Sequence, residues 1–123
     1  MQHKIKTYED ACAALNRDPD VLPDVSMFQA RNQQWLVDMY KLSVIAEALN
    51  EGWVADFSDP DEFKYYPWFY MGSSGSASGF RFGDFACDYS YSGVGARLSS
   101  NSREDCNFIA KEYPDLWQIF ILN

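Results

Sequence analysis

A chain of 123 residues with 18 acidic and 10 basic side chains carries a formal net charge of −8, which repels phosphate backbones and anionic lipid at long range. Hydrophobic residues make up 47% of it and aromatic residues 17%, too apolar a mix for a disordered acidic tail and enough for one core without metal or disulfide staples. No apolar N-terminal stretch reads as a signal peptide and no run is long enough to cross a bilayer, so the expectation is a single domain over residues 1–123 in a reducing cytoplasm, its three cysteines (Cys12, Cys87 and Cys106) forming no CxxC pair and reading as buried thiols, with one reactive thiol as the alternative.

Thr7-Tyr8-Glu9-Asp10 opens a helix: Thr7 caps it, and Asp10 reaches back in a variant of the capping box. Tyr8, Ala11, Cys12 and Leu15 then share one helical face. Asn16 to Pro19 ends that helix, and residues 18–25, with two Pro and three Asp, read as an extended, solvated connector. A longer helix runs from about Ala30 to Leu49. Trp35, Met39, Leu42, Ala46 and Leu49 form its apolar stripe, and Leu36, Tyr40 and Ile45 broaden it. Asn50-Glu51-Gly52 stops it, because Gly52 is free to take a positive φ.

Asp56, Asp59, Asp61 and Glu62 crowd around Pro60. A calcium loop needs oxygen ligands at fixed offsets and a glycine for its sharp turn. Residues 56–62 lack that order and read as a capped turn with exposed carboxylates, weak divalent binding being the alternative. From Tyr65 the texture changes to strand. Trp68, Phe69 and Tyr70 are β-formers, and Pro67 suggests an edge strand or a strand start. Residues 79–89 read as a second strand in which Phe80 and Phe82 give way to Phe85, Cys87 and Tyr89; a bulge at Gly83 or Asp84 would produce that change of parity. Residues 72–79, rich in Gly and Ser, read as a long hairpin loop, with a lid over Trp68, Tyr70 and Phe80 as the alternative. A phosphate cradle is disfavoured because no Lys and no helix follow.

Ser92-Gly93 marks a turn and Val94 to Ser99 a third strand. Ser102-Arg103-Glu104-Asp105 repeats the capping pattern, and Phe108, Ile109, Ala110 and Tyr113 supply the next apolar set. Pro114 interrupts that helix and can serve as first residue of a final helical piece. The expected fold is therefore α+β: two N-terminal helices, a three-stranded antiparallel β-meander and a C-terminal helix. Trp35, Leu42, Leu49, Trp68, Phe82, Leu98, Phe108 and Leu116 are expected to form one core.

More than half of all Phe, Tyr and Trp fall between Phe57 and Tyr91. Strand alternation cannot bury them all, so the candidate partner-binding surface is an aromatic sheet face. It comprises Tyr65, Tyr66, Trp68, Tyr70, Tyr89 and Tyr91, with Arg81 and Arg97 beside it, and exposed tyrosine brings large contact area at low entropy cost. Stacking of single-stranded bases on these rings is the weaker alternative, because the net charge opposes nucleic acid, double-stranded above all.

Catalysis finds little support. The one histidine, His3, sits beside the N-terminus and is a poor base for a Ser or Cys nucleophile; no GxSxG motif is present. His3 and the three cysteines lack zinc-ligand spacing. No catalytic residue, metal or cofactor is expected.

The segments "KTYEDACAAL", "KLSVIAEALNEGW", "KYYPWFYM" and "GARLSSNSREDCNFIAKEYPDLW" together resemble a family of small acidic proteins from gut Bacteroidetes, their prophages and related phages. The likeness covers most of the chain and is weakest over residues 18–31 and in the Gly/Ser loop. The resemblance implies a setting and no activity: a phage or mobile-element gene expressed in a bacterial cytoplasm. There the product would bind a host or phage protein through the aromatic sheet face or the acidic loop of residues 56–62, or be built into the virion as a structural component.

Overall fold

A computed structural model of the chain describes residues 4–70, 81–88 and 94–122. Over these residues the fold is α+β, with four helices, one two-stranded antiparallel sheet and a 3-10 turn. Residues 72–79, Phe80, Tyr89, Tyr91 and the Ser92-Gly93 turn lie outside the described residues.

Helix α1 (Tyr8–Ala14) starts where Thr7 Oγ1 accepts the Asp10 amide. Asp10 reaches back one residue further than a capping box requires: its Oδ2 accepts the Lys6 amide at 3.0 Å. Ala11 and Cys12 are fully buried, with Tyr8 and Leu15 packed beside them, as the one-face pattern requires. The connector that follows makes Asx turns, Asp18 accepting from the Asp20 amide and Asp24 from the Ser26 amide.

Helix α2 (Ala30–Asn50) is the axis of the fold, touching α1, both C-terminal helices and the 3-10 turn. Burial in its second half therefore extends beyond one stripe: Val44 and Ala48 are buried along with Leu42, Ile45 and Ala46. It ends on Glu51, which takes the left-handed conformation at φ 51°, followed by Gly52 at φ 88°.

Strand β1 (Lys64–Tyr70) pairs with β2 (Arg81–Asp88) in antiparallel register from Lys64 opposite Asp88 to Tyr70 opposite Arg81. Trp68 faces Asp84 and Phe69 faces Phe82, which leaves Gly83 as the extra residue of a bulge. This insertion puts Phe82 and Phe85 on the same side despite their odd spacing. Phe82 meets Phe69 edge-on at 6.0 Å, and Phe85 meets Tyr65 at 5.6 Å.

The expected third strand does not form. Gly95 takes φ 77°, Ala96–Leu98 coil into the 3-10 turn, and Leu98 drops into the core beside α2. The chain then makes one antiparallel bridge, Ser100 with Tyr65, on the free edge of β1 (N···O 2.9 and 2.7 Å). The single bridge thus flanks β1 on the side away from β2, so the meander order is not realised even in outline.

The C-terminal helix is two helices. Ser102 caps α3 (Arg103–Glu112) by accepting the Asp105 amide, and Pro114 begins α4 (Pro114–Leu122). Proline fits that first helical position because its missing N–H needs no partner there. Trp117 of α4 is fully buried, donates to the Ile109 carbonyl at 3.2 Å, and lies 5.4 Å from Phe69.

The core gathers α1, the second half of α2, Phe69, Leu98, α3 and Trp117. Of the eight expected core residues, Leu42 and Leu98 are buried, and Trp35, Leu49, Phe82, Phe108 and Leu116 are half-buried. Trp68 is a correction: it is 58% exposed, because Tyr65, Pro67 and Phe69 share the opposite face of β1 and Phe69 takes the buried place. Cys87 is a second correction, lying exposed while Cys12 and Cys106 are buried.

Candidate functional site

Strand alternation divides the predicted aromatic surface in two. Tyr65 points to the α3 side, stacked on Phe63 at 6.3 Å and tilted against Phe85, and the Arg103 guanidinium lies 5.2 Å from the centre of the Phe85 ring. Tyr66 and Trp68 belong to the other face, where Trp68 stands out into solvent. Around these two residues lies a shallow hollow of about 290 Å3, completed by Pro67, Phe69, Val94, Phe120 and Ile121. Its α4 wall is held in place by Trp35, whose indole N–H donates to the Phe120 carbonyl at 3.1 Å and whose ring stacks on Phe120 at 6.0 Å.

Tyr70 and Arg81 are paired at the end of the ladder nearest the Gly/Ser segment. Tyr89 and Tyr91 fall outside the described residues. Arg97 lies in the 3-10 turn against α2 and lines a different pocket with Tyr40, Ser43 and Trp53. That pocket shares no residue with the hollow around Trp68. Sequence reasoning missed Phe120 and Ile121. Their signal was the spacing Trp117, Phe120, Ile121 on one helical face after Pro114.

The acidic segment forms a ring of turns. Asp56 accepts from the Ser58 amide and Asp59 from the Asp61 amide, and Glu62 Oε1 accepts the Asp56 amide at 2.8 Å. At its centre sits the Lys64 ammonium, with no solvent exposure, donating to the carbonyls of Asp59 and Glu62 at 3.0 Å each. Glu62 Oε1 lies 3.6 Å away and the Phe57 ring 5.2 Å away. The hydrogen bond from Ser58 holds the Asp56 carboxyl below its ordinary value. Among the described residues, no three His, Cys, Asp or Glu side chains come together as a metal centre.

No described helix is long and apolar enough to cross a membrane. Comparison with protein-family models, with curated proteins and with solved structures gives no match to this chain.

Proposed function

We propose that the chain is a non-enzymatic accessory protein of a phage or mobile element that acts by binding another protein through the aromatic surface around Trp68. The observation that carries this reading is Trp68 itself. It is a large aromatic side chain, 58% exposed, standing on a strand at the lip of an apolar hollow whose walls are fixed by the Trp35–Phe120 contact. Aromatic anchors of this kind dominate protein interfaces because they bring much contact area with few rotatable bonds. The phage setting rests on the sequence resemblance, and the absence of an enzymatic role on the lack of a positioned base.

The test is affinity capture from lysate of a prophage-carrying host, with wild type run beside a Tyr66→Ala/Trp68→Ala variant and bound proteins identified by mass spectrometry. One stoichiometric protein, lost in the variant, is the expected result. Recovery of capsid or tail proteins alone, or of the protein itself, would replace this reading with a virion component.

A further inference from the structure

Beside the second half of α2, away from the residues around Trp68, lies a pocket of about 540 Å3. That volume falls in the range of small-molecule sites, roughly 300–1,000 Å3. Its floor is apolar, from Val44 and Ala96, and Val54 stands at its edge 71% exposed. A smaller hollow of about 190 Å3 continues it along the 3-10 turn, sharing Ser43, Ala96 and Arg97.

The walls are fixed before any ligand arrives. Trp53 donates its indole N–H to Glu62 at 3.3 Å, and Glu62 is itself tied to the Asp56 amide and to Lys64. The segment carrying Arg97 is pinned on one side by Asn50, whose Nδ2 donates to the Ser99 carbonyl at 2.9 Å from within the buried face of α2. Ser99 Oγ closes the same segment by donating to the Gly95 carbonyl at 2.8 Å. A pocket built on restrained groups loses little entropy when it fills.

Charge then separates the two arginines that line it. Arg17 already has an acidic partner: its two terminal nitrogens meet the two Glu47 oxygens at 2.8 and 3.0 Å, a bidentate pair. Arg97 is exposed and has no acidic partner among the described residues, in a chain where carboxylates outnumber basic groups by 18 to 10. A guanidinium with no acidic partner among the described residues, lining one pocket with a restrained indole and apolar side chains, matches a flat body carrying one negative group.

We propose that this pocket is a binding site for a small planar anion, with the flat ring lying between Trp53 and the apolar floor and the anionic group paired with Arg97. An aromatic carboxylate and a nucleoside monophosphate share that chemistry. The proposal does not depend on the protein-binding reading, since it uses none of the same residues.

The test follows amide and indole N–H signals of the full chain by NMR while indole-3-acetate or adenosine monophosphate is added, each to about 5 mM, enough to detect millimolar affinity. Shifts confined to Trp53 Nε1–H, the Ala96–Leu98 turn and the facing part of α2 are expected with at least one probe. The probe that binds tells carboxylate from phosphate. Arg97→Glu, at an exposed position, should keep the wild-type melting temperature and weaken binding about tenfold or more, as expected for reversal of a charge-assisted contact. Ala96→Trp, which fills the floor, should abolish the shifts while the amide spectrum away from the pocket stays that of the wild type. No saturable shift at Trp53 with either probe would overturn the proposal, as would equal affinity in Arg97→Glu.

Discussion

At residue 64 a lysine ammonium is held wholly out of water, and the neighbouring acidic residues make sense only around it. An isolated buried charge is costly, so it persists where partners replace its hydration. Two carbonyls, the Glu62 carboxylate and the Phe57 ring do so here. Residues 56–62 read in sequence as a capped turn, with weak divalent binding as the alternative, and the cation they enclose is a side chain of the protein. Lys64→Met should therefore destabilise the fold by about 2–3 kcal/mol, since it strands acceptors that the loop has turned inward. Urea unfolding would measure this, and a variant as stable as wild type would show that the enclosed charge has no structural role. The cysteines give a second residue-scale expectation. Cys87 is exposed and Cys12 and Cys106 are fully buried, so a thiol reagent should titrate one group in the native protein and all three in denaturant. Three fast-reacting thiols under native conditions would contradict the packing of α1 and α3.

At the scale of elements, the helices were legible because their signals are local and redundant. Thr7 and Ser102 each cap through the amide three residues on, and Pro114 and Glu51-Gly52 mark a start and a stop. The cap of α3 matters more than most, because α3 packs on both strands and on α2. Ser102→Ala should lower stability by about 1 kcal/mol, and Ser102→Asp should restore most of it, read from thermal melts of the two variants. If both variants melt like wild type, the Asp105 amide must have another acceptor. A bulge at Gly83 or Asp84 was legible too, since the switch from Phe82 to Phe85 on one face demands an extra residue between them, and the register places it at Gly83. The third strand was not. Val94, Ala96 and Leu98 alternate as a strand would, yet a 3-10 turn that buries Leu98 produces the same short pattern. What decides between them is long-range: the edge of β1 accepts one bridge from Ser100, and Asn50 of α2 donates to the Ser99 carbonyl on the other side and holds the segment against the helix.

At the scale of the whole molecule, the same limit explains which candidate site residues came together. Alternation required some aromatic side chains to be exposed but pointed to the tyrosines: Tyr65 and Tyr66 are half-buried and Trp68, expected in the core, stands out, because the buried face was decided by α4, whose Trp117 reaches Phe69 across the fold. Arg97 was grouped with the tyrosines because a third strand would have carried it there, and it went to the α2 pocket when that strand did not form. The packing also fixes how the molecule responds to alkali. Burial pushes the Cys106 thiol up to about 12, helped by the carboxylates of Asp84 and Asp105. Burial likewise pushes the Tyr113 phenol up to about 12, helped by Glu112, Asp10 and Glu9. In both cases the folded state keeps a proton that the unfolded chain releases near the ordinary values of 9.0 and 10.0. The unfolded state thus binds fewer protons above those values, and stability must fall as pH rises. It should be flat with respect to these groups below about pH 8 and decline between about pH 8 and 12, each group adding a slope that approaches about 1.4 kcal/mol per pH unit. Cys106→Ala separates the contributions: removing the thiol lowers stability at neutral pH by leaving a small cavity, and should also flatten the decline between pH 9 and 10, where the phenol has barely begun to contribute. Urea midpoints taken across that interval for wild type and variant would show the two curves converging; parallel curves would mean that Cys106 meets water in the native state and that α3 does not seal the core.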